Sequence, residues 1–359
     1  MKTIVITCGT SVLTNLEDHI YQKFVYANAN KSENDLSKED KELFNKVFSS
    51  AETYLEQTDN IEILKKASAE LNTILSYYNA CLKNASKDMF YLLTTDTYSG
   101  IESGKILSTF LNKKYNITVS AIVVKNLKAD TKENFEEGIK SLYENELFAI
   151  FNDKSRETVF ILSGGFKSWS GYMQSLGMFY GAKILYQFET AGEDFIEIPK
   201  IPFKLNEVQK QSLRLLAFEK KPSDEQLKSL PKTAYFVYEN ECELAGNGKI
   251  LWNDLLEKGF YNILQESLSD KLKFSDNFKK DYEKLNLYEK KVLGEKIDNL
   301  AMYFDTGEER YNLKSLKFHS LTNVNGYQRE IYPFNDSRRV YIKEQNGMFL
   351  IDKIAAHLK

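Results

Sequence analysis

Three short stretches rich in glycine and hydroxyl side chains each follow an apolar, β-type run. Gly9-Thr10-Ser11 follows Thr3–Thr7, Thr94-Thr95-Asp96-Thr97-Tyr98-Ser99 follows Met89–Leu93, and Ser163-Gly164-Gly165-Phe166-Lys167 follows Val159–Leu162. A turn of this kind that opens a helix aims backbone amides and the positive end of the helix dipole at one point, which suits an anion. Lys167 adds a full positive charge there, against the dipole, so the position calls for an anion. The chain carries neither G-x-x-x-x-G-K-[ST] nor G-x-G-x-x-G, which excludes a P-loop NTPase and a standard dinucleotide binder. Three such loops on one sheet edge point to a nucleotide or cyclic phosphodiester. Its expected contacts are Gly9, Thr10, Ser11, Asn15, Thr95, Asp96, Thr97, Ser163, Gly164, Gly165, Phe166 and Lys167.

A second chemistry is written at the far end. Residues 310–359 carry nine Lys/Arg against four acids in a chain whose net charge is −3, so a basic tail sits on an acidic body. That asymmetry suits a polyanionic partner. Gln328-Arg329-Glu330-Ile331-Tyr332 and Arg338-Arg339-Val340-Tyr341 place cations beside aromatics, Lys317 and His319 alternate on an earlier run, and His357 lies near the end. Guanidinium groups hold phosphates and aromatics stack bases, the combination that binds RNA. The same groups can cut it: a base takes the 2′-hydroxyl proton, cations stabilise the phosphorane, and an acid protonates the leaving 5′-oxygen. Such cleavage needs no metal, and the sequence shows no acidic cluster to hold one.

These residues need a frame. Strand-type runs at Thr3–Thr7, Met89–Leu93, Ile117–Val124, Val159–Leu162 and Ala182–Phe188 alternate with helical patterns, the order of a doubly wound parallel α/β sheet. Ligands bind beyond the carboxyl ends of such strands. Residues 16–88 hold no strand pattern and read as a helical insertion, with one helical period over Asn60–Lys83 and a loop or helix start at Glu33–Lys41. A helix runs from about Lys132 to Leu147. Prolines at Pro199 and Pro202 mark the edge of this domain, set at 1–203. Helical patterns over Leu205–Phe218, Glu225–Leu230 and Trp252–Leu268, with a strand at Tyr235–Leu244 and a Gly246-Asn247-Gly248 turn, read as a small winged-helix-like connector, 204–268. Residues 269–359 combine a charged helix, Phe274–Tyr303, with four β-type segments split at Asn325-Gly326, Asn335-Asp336 and Asn346-Gly347, an α+β module with an antiparallel meander.

Residues 7–15 (TCGTSVLTN) and 162–167 (LSGGFK) resemble the two signature loops of CARF domains, the CRISPR-associated Rossmann-like sensors. The likeness covers roughly residues 1–200. It implies a homodimer that binds one cyclic oligoadenylate, most often cyclic tetra-adenylate, across its two-fold axis. In CARF ring nucleases the positions of Ser11 and Lys167 help cleave the bound ring. Leu316–Lys359 is similar to RelE-type toxins, the ribosome-dependent mRNA interferases. That likeness puts Arg329 on a phosphate-contacting position, Arg338 on the arginine of an R-x-V-Y-like strand, and His357 near the C-terminal catalytic position. Many of those toxins end in a tyrosine, and this chain has none after Tyr341, so His357 or Tyr332 would act instead. The pair of resemblances implies a CARF–RelE fusion of type III CRISPR systems: an allosterically activated endoribonuclease working on ribosomes and mRNA. It implies catalytic roles for Arg329, Arg338, His357, Lys317 and Tyr332, and no cofactor beyond the cyclic activator. The alternative is a ligand-responsive regulator that binds nucleic acid or a partner without cleaving.

Plainer roles compete at several positions. Arg338 and Arg339 can pair with Glu308 and Glu309, and Arg338 is the one favoured for chemistry. His319 reads as a surface or structural residue, Trp169 and Tyr172 as core, and Cys8 as a buried small hydrophobe. No apolar run reaches membrane-spanning length, Met1 leads straight into a strand, and three scattered cysteines form no disulfide or metal spacing. The expected setting is a reducing cytoplasm, with neither a membrane nor DNA as partner.

Overall fold

The computed structural model describes residues 1–359 except 16–18, 147–149, 151–154, 188–194, 202–203, 239–240, 312–315, 317, 325, 335 and 357–359. The chain divides into two compact units, Met1–Phe203 and Lys204–Lys359. Among the described residues no helix is long and apolar enough to cross a membrane.

The first unit is built on β1 (Lys2–Thr7), β2 (Met89–Thr94), β3 (Thr118–Val123), β4 (Glu157–Leu162), β5 (Lys183–Gln187) and β6 (Phe195–Glu197), in the spatial order β3-β2-β1-β4-β5-β6. β1 to β5 run parallel, and only the edge strand β6 is antiparallel. Ile4 in the central β1 sits opposite Phe90 on one side and Val159 on the other, and all three are fully buried. Burial on both faces is why these strands read as continuous apolar runs rather than alternating ones. The strand order reverses direction between β1 and β4, so the loops after those strands flank the crevice where such sheets take ligands.

Helices α1 (Ser11–Thr14), α2 (His19–Ala27), α3 (Lys38–Gln57), α4 (Ile61–Ala67) and α5 (Ala69–Tyr77) fill the long connection from β1 to β2. The sequence did not announce α3, which buries Phe44, Val47, Phe48, Ala51 and Leu55 along one helical face. The single helical period expected over Asn60–Lys83 is cut at Ser68, whose hydroxyl accepts from the amides of Glu70 and Leu71 and starts a new helix. α6 (Tyr98–Tyr115), α7 (Lys132–Ser141) and α8 (Lys167–Tyr180) follow β2, β3 and the loop after β4. α7 stops short of the expected Leu147 and passes into a π turn, Leu142–Glu146.

α8 lies close on its sheet because residue 177 has no side chain. A Cβ there would stand 2.7 Å from Ile184 Cγ1 and 3.3 Å from Phe160 Cγ. Gly177→Val should destabilise the first unit by about 1–3 kcal/mol through overpacking. Thermal unfolding followed at Trp169, on the same helix, checks this; an unchanged midpoint would show that the helix moves aside freely.

The second unit begins with α9 (Glu207–Ala217), α10 (Asp224–Lys228), the antiparallel hairpin β7 (Tyr235–Tyr238) and β8 (Glu241–Leu244), and α11 (Gly246–Glu257). These belong to the same compact unit as the C-terminal module. The reason is a buried link: the Arg214 guanidinium on α9 grips Asp298 on a later helix. Gly246-Asn247-Gly248 is not a turn but the first turn of α11, and a Cβ on Gly248 would lie 2.0 Å from the Ala234 carbonyl oxygen. The expected helix over Trp252–Leu268 ends at Glu257.

The remainder is β9 (Leu272–Phe274), α12 (Asp276–Glu283), α13 (Leu287–Thr306), β10 (His319–Val324), β11 (Tyr327–Ile331), β12 (Arg338–Gln345) and β13 (Met348–Ala356), with sheet order β10-β11-β12-β13-β9. The one expected helix over Phe274–Tyr303 is therefore a short strand and two helices, because Asn286 and Glu289 form a capping box that restarts the helix. β10 to β13 form the antiparallel meander, and β9 adds to β13 in parallel. Asn346 and Gly347 both have positive φ, 51° and 74°, as an Asn-Gly hairpin turn requires.

Candidate functional site

The loops after β1 and β4 touch. A Cβ on Gly9 would lie 2.9 Å from the Gly165 amide nitrogen, and the Gly164 amide donates to Thr7 Oγ1 at 3.3 Å. Gly165 has a φ of +84°, open to glycine at little cost, and its α-carbon faces the Trp169 indole.

A residue that sequence reasoning missed stands behind both loops. Glu70, on α5, is fully buried. Its Oε1 accepts from the Gly9 amide at 2.7 Å, and its Oε2 accepts from Ser11 Oγ at 2.9 Å and Ser68 Oγ at 2.6 Å. Ser11 Oγ in turn accepts from the Ala69 amide at 3.0 Å. Any side chain at Gly164 would run into this carboxylate, with Cβ only 2.1 Å from Oε1. So the amide and hydroxyl expected to meet an external anion at Gly9 and Ser11 already hold an internal one. Burial, and then the nearby Glu70 charge, push the Cys8 thiol well above its ordinary range, which leaves it an inert apolar filler.

The other expected ligand residues separate into two groups. Asn15 donates to the Lys66 carbonyl at 3.0 Å, Asp96 accepts from the Asn126 amide at 2.9 Å, and Thr97 caps α6 through the Gly100 amide while sharing a 2.9 Å hydrogen bond with Thr95. Those contacts shape the loops. The loop after β4 is different. Ser163 Oγ, Trp169 Nε1 and Tyr172 OH are buried with no hydrogen-bond partner among the described residues. Burial raises the Tyr172 phenol, so it stays a protonated donor. Phe166 packs edge-on against Phe135 at 5.8 Å. No side chain caps the first turn of α8 and no acid lies in it. Lys167, exposed at that first turn, has no ion pair among the described residues. At Ser163–Lys167 an uncapped helix start, a lysine with no ion pair among the described residues and the unpartnered Ser163 hydroxyl offer donors of the kind an anion seat uses.

In the second unit the strand arginines divide sharply. Arg329 donates from Nε to Glu344 at 2.7 Å and from Nη1 to Ser320, over the Phe318 ring. Arg338 donates from Nε to Asp336 at 2.8 Å and from Nη2 to Glu289 on α13, with Phe334 beneath it. Its expected partners Glu308 and Glu309 are not used for this; Glu308 pairs with Arg310. The hydrogen bonds from Arg338 hold Glu289 and Asp336 below the usual carboxylate range. A carboxylate lowered in the folded state lends stability above its unfolded value and loses it as pH falls through the folded one. The Arg338 triad should therefore persist at neutral pH and weaken below about pH 4. A denaturation midpoint of Arg338→Gln that shows the parent's full acid dependence would contradict this.

Arg339 forms no ion pair among the described residues. Its guanidinium carbon lies 3.6 Å from the centre of the Tyr332 ring, Nη1 reaches only the backbone carbonyls of Asp336 and Arg338, and Nε is buried without a partner. The Tyr332 hydroxyl donates to Glu330 Oε1 at 2.8 Å, and Glu330 is 3% exposed with its second oxygen unpartnered among the described residues. His319 lies directly opposite Glu330 in the β10–β11 register, with its ring edge-on to Tyr332 at 5.4 Å. Arg339, His319, Tyr332 and Glu330 thus converge, whereas the favoured Arg338 is held between two acids. Lys317 and His357 lie outside the described residues.

Residues 65–201 match the family model of a CRISPR-associated protein (Cas_APE2256). The matched segment contains Glu70, the loop after β2 and the whole of Ser163–Lys167, and it ends before the second unit begins. Over those residues the chain is similar to a CRISPR-associated protein family.

Proposed function

We propose that the protein is a signal-gated ribonuclease of type III CRISPR defence. The first unit, a CARF-type sensor, binds a cyclic oligoadenylate, with cyclic tetra-adenylate the first to test, across a homodimer. The second unit, RelE-like, then cuts mRNA on the ribosome without a metal. The observation that carries the reading is the anion seat at Ser163–Lys167, lying at the switch point of a parallel sheet within the segment similar to a CRISPR-associated family. Arg329 and Arg338, ion-paired but partly exposed, serve RNA binding by exchanging carboxylates for phosphates. A gate of this kind requires the ligand to bind the active state more tightly than the resting one.

Lys167→Ala tests the sensor. Removing the one full charge at the seat should weaken binding of cyclic tetra-adenylate by at least about tenfold, the scale of a charge-assisted hydrogen bond. Titration calorimetry reads this, and unchanged affinity would overturn the proposed seat. Ring cleavage by the sensor is a separate activity, detected as linear product on incubation with the ring alone. Because Ser11 is bound to Glu70, that cleavage should depend more on Lys167 than on Ser11.

A further inference from the structure

We infer that the phosphodiester-cleaving centre of the second unit is Arg339 and His319, set on the ring of Tyr332, with Glu330 as the residue that positions that ring. This rests on the ribonuclease reading and assigns its chemistry to residues that reading does not use.

Three arginines stand on β11 and β12, and two of them are neutralised by carboxylates 2.8 Å or less away. Of the three, only Arg339 makes no ion pair among the described residues; the nearby Asp336 carboxylate, which its charge helps to lower, is held by Arg338. Stacking on Tyr332 fixes its plane, so its donors are pre-aimed and little entropy is lost on meeting a phosphate. Tyr332 cannot drift, because its hydroxyl is anchored on a buried carboxylate. A buried Glu330 with an unpartnered oxygen and a buried Arg339 Nε without a partner, both counted among the described residues, are costly to stability. Such cost is typical of sites that wait for a substrate. His319, exposed against the edge of the same ring, completes the set with a group that can accept a proton.

The step is transesterification within single-stranded RNA. The 2′-hydroxyl oxygen attacks the adjacent phosphorus while the His319 imidazole takes its proton. Arg339 holds the non-bridging oxygens as charge builds on the phosphorane. The P–O5′ bond breaks, O5′ takes a proton from solvent water at this exposed edge, and the imidazolium returns its proton to solvent. The products are a 2′,3′-cyclic phosphate and a 5′-hydroxyl.

The experiment uses the full chain in a translating extract with cyclic oligoadenylate, scoring mRNA ends by primer extension. Arg339→Ala and His319→Ala should each lower the cutting rate by about 100-fold or more, the range for losing one transition-state donor or a general base. Added guanidinium should restore part of the first variant's activity and imidazole part of the second's, which a purely structural role would not allow. Glu330→Gln should lower kcat with little change in ribosome affinity. Cutting within threefold of the parent in both alanine variants, or loss that neither additive repairs, overturns the assignment while leaving the ribonuclease reading intact. A parent chain that cuts nothing with any cyclic oligoadenylate overturns the reading itself.

Discussion

Replacing Asp298 by alanine lowers the stability of the second unit by about 3–5 kcal/mol, the cost of stranding a buried charge. Asp298 on α13 is 1% exposed and accepts from Arg214 Nε at 2.7 Å, from Arg214 Nη2, and from the Tyr261 hydroxyl at 2.7 Å. Arg214 is itself 3% exposed, and its only other polar contacts among the described residues are Gln211 and the Glu266 carbonyl. Burial, and then the Asp298 charge, push the Tyr261 phenol well above its ordinary range, so it stays protonated and needs an acceptor. Without Asp298 a guanidinium and a phenol are left buried with no carboxylate partner among the described residues. Trp252 packs edge-on to Tyr261 at 6.2 Å, so in a Trp169→Phe background its fluorescence reports this unit's unfolding. The double variant Arg214→Met, Asp298→Leu should recover most of the loss, because desolvating the ion pair offsets much of its attraction. A denaturant midpoint unchanged in Asp298→Ala would show that the link does not hold α9 to α13.

Glu70→Ala has the second largest expected effect, about 2–4 kcal/mol in the first unit. It removes the acceptor of the Gly9 amide and of the Ser11 and Ser68 hydroxyls, three donors that meet on one fully buried carboxylate. The damage is local as well. With Glu70 gone, the Gly9 amide loses its acceptor beside Gly164, so it should exchange hydrogen at least about tenfold faster. Ring binding should weaken, because the loops after β1 and β4 are held in register by that carboxylate. Glu70→Gln keeps the shape but turns an amide NH₂ toward a donor, and should lie between parent and alanine. The opposite outcome, tighter ring binding in Glu70→Ala, would mean that Glu70 blocks the pocket rather than shapes it.

The parallel sheet was legible because its strands are short apolar runs that end in glycine and hydroxyl turns. β1, β2 and β4 lie within two residues of their expected bounds at each end. What stayed hidden depends on distance along the chain. β9 is three residues long and gains its partner from β13, more than seventy residues later, so no local pattern marks it. The unbroken alternation of Tyr235–Leu244 hides a hairpin. Gly246 and Gly248 carry the signature of a turn, yet they open a helix, because close approach to Ala234 needs a missing side chain as much as a turn does. Glu70 was invisible for the same reason: its partners are Gly9 and Ser11, about sixty residues before it. The available hint was Ser68 two positions ahead, a helix cap placed in the middle of an apolar period. The different surroundings of Arg338 and Arg339 were equally hidden, because neighbouring residues in one strand do not show which acids will reach them. Asp336, two residues before Arg338, and Glu289 on a separate helix claim the first arginine, and the second is left to Tyr332.

The proposed function requires that occupation of the first unit switch on cutting by the second. One assay meets it directly: translating ribosomes with a defined mRNA and the full chain, with and without cyclic tetra-adenylate and its larger and smaller rings. The account predicts cuts within the translated frame that appear only with a cyclic ligand, yield a 2′,3′-cyclic phosphate, and vanish when ribosomes are omitted. Cutting of equal extent without ligand, or none with any ring, would contradict it.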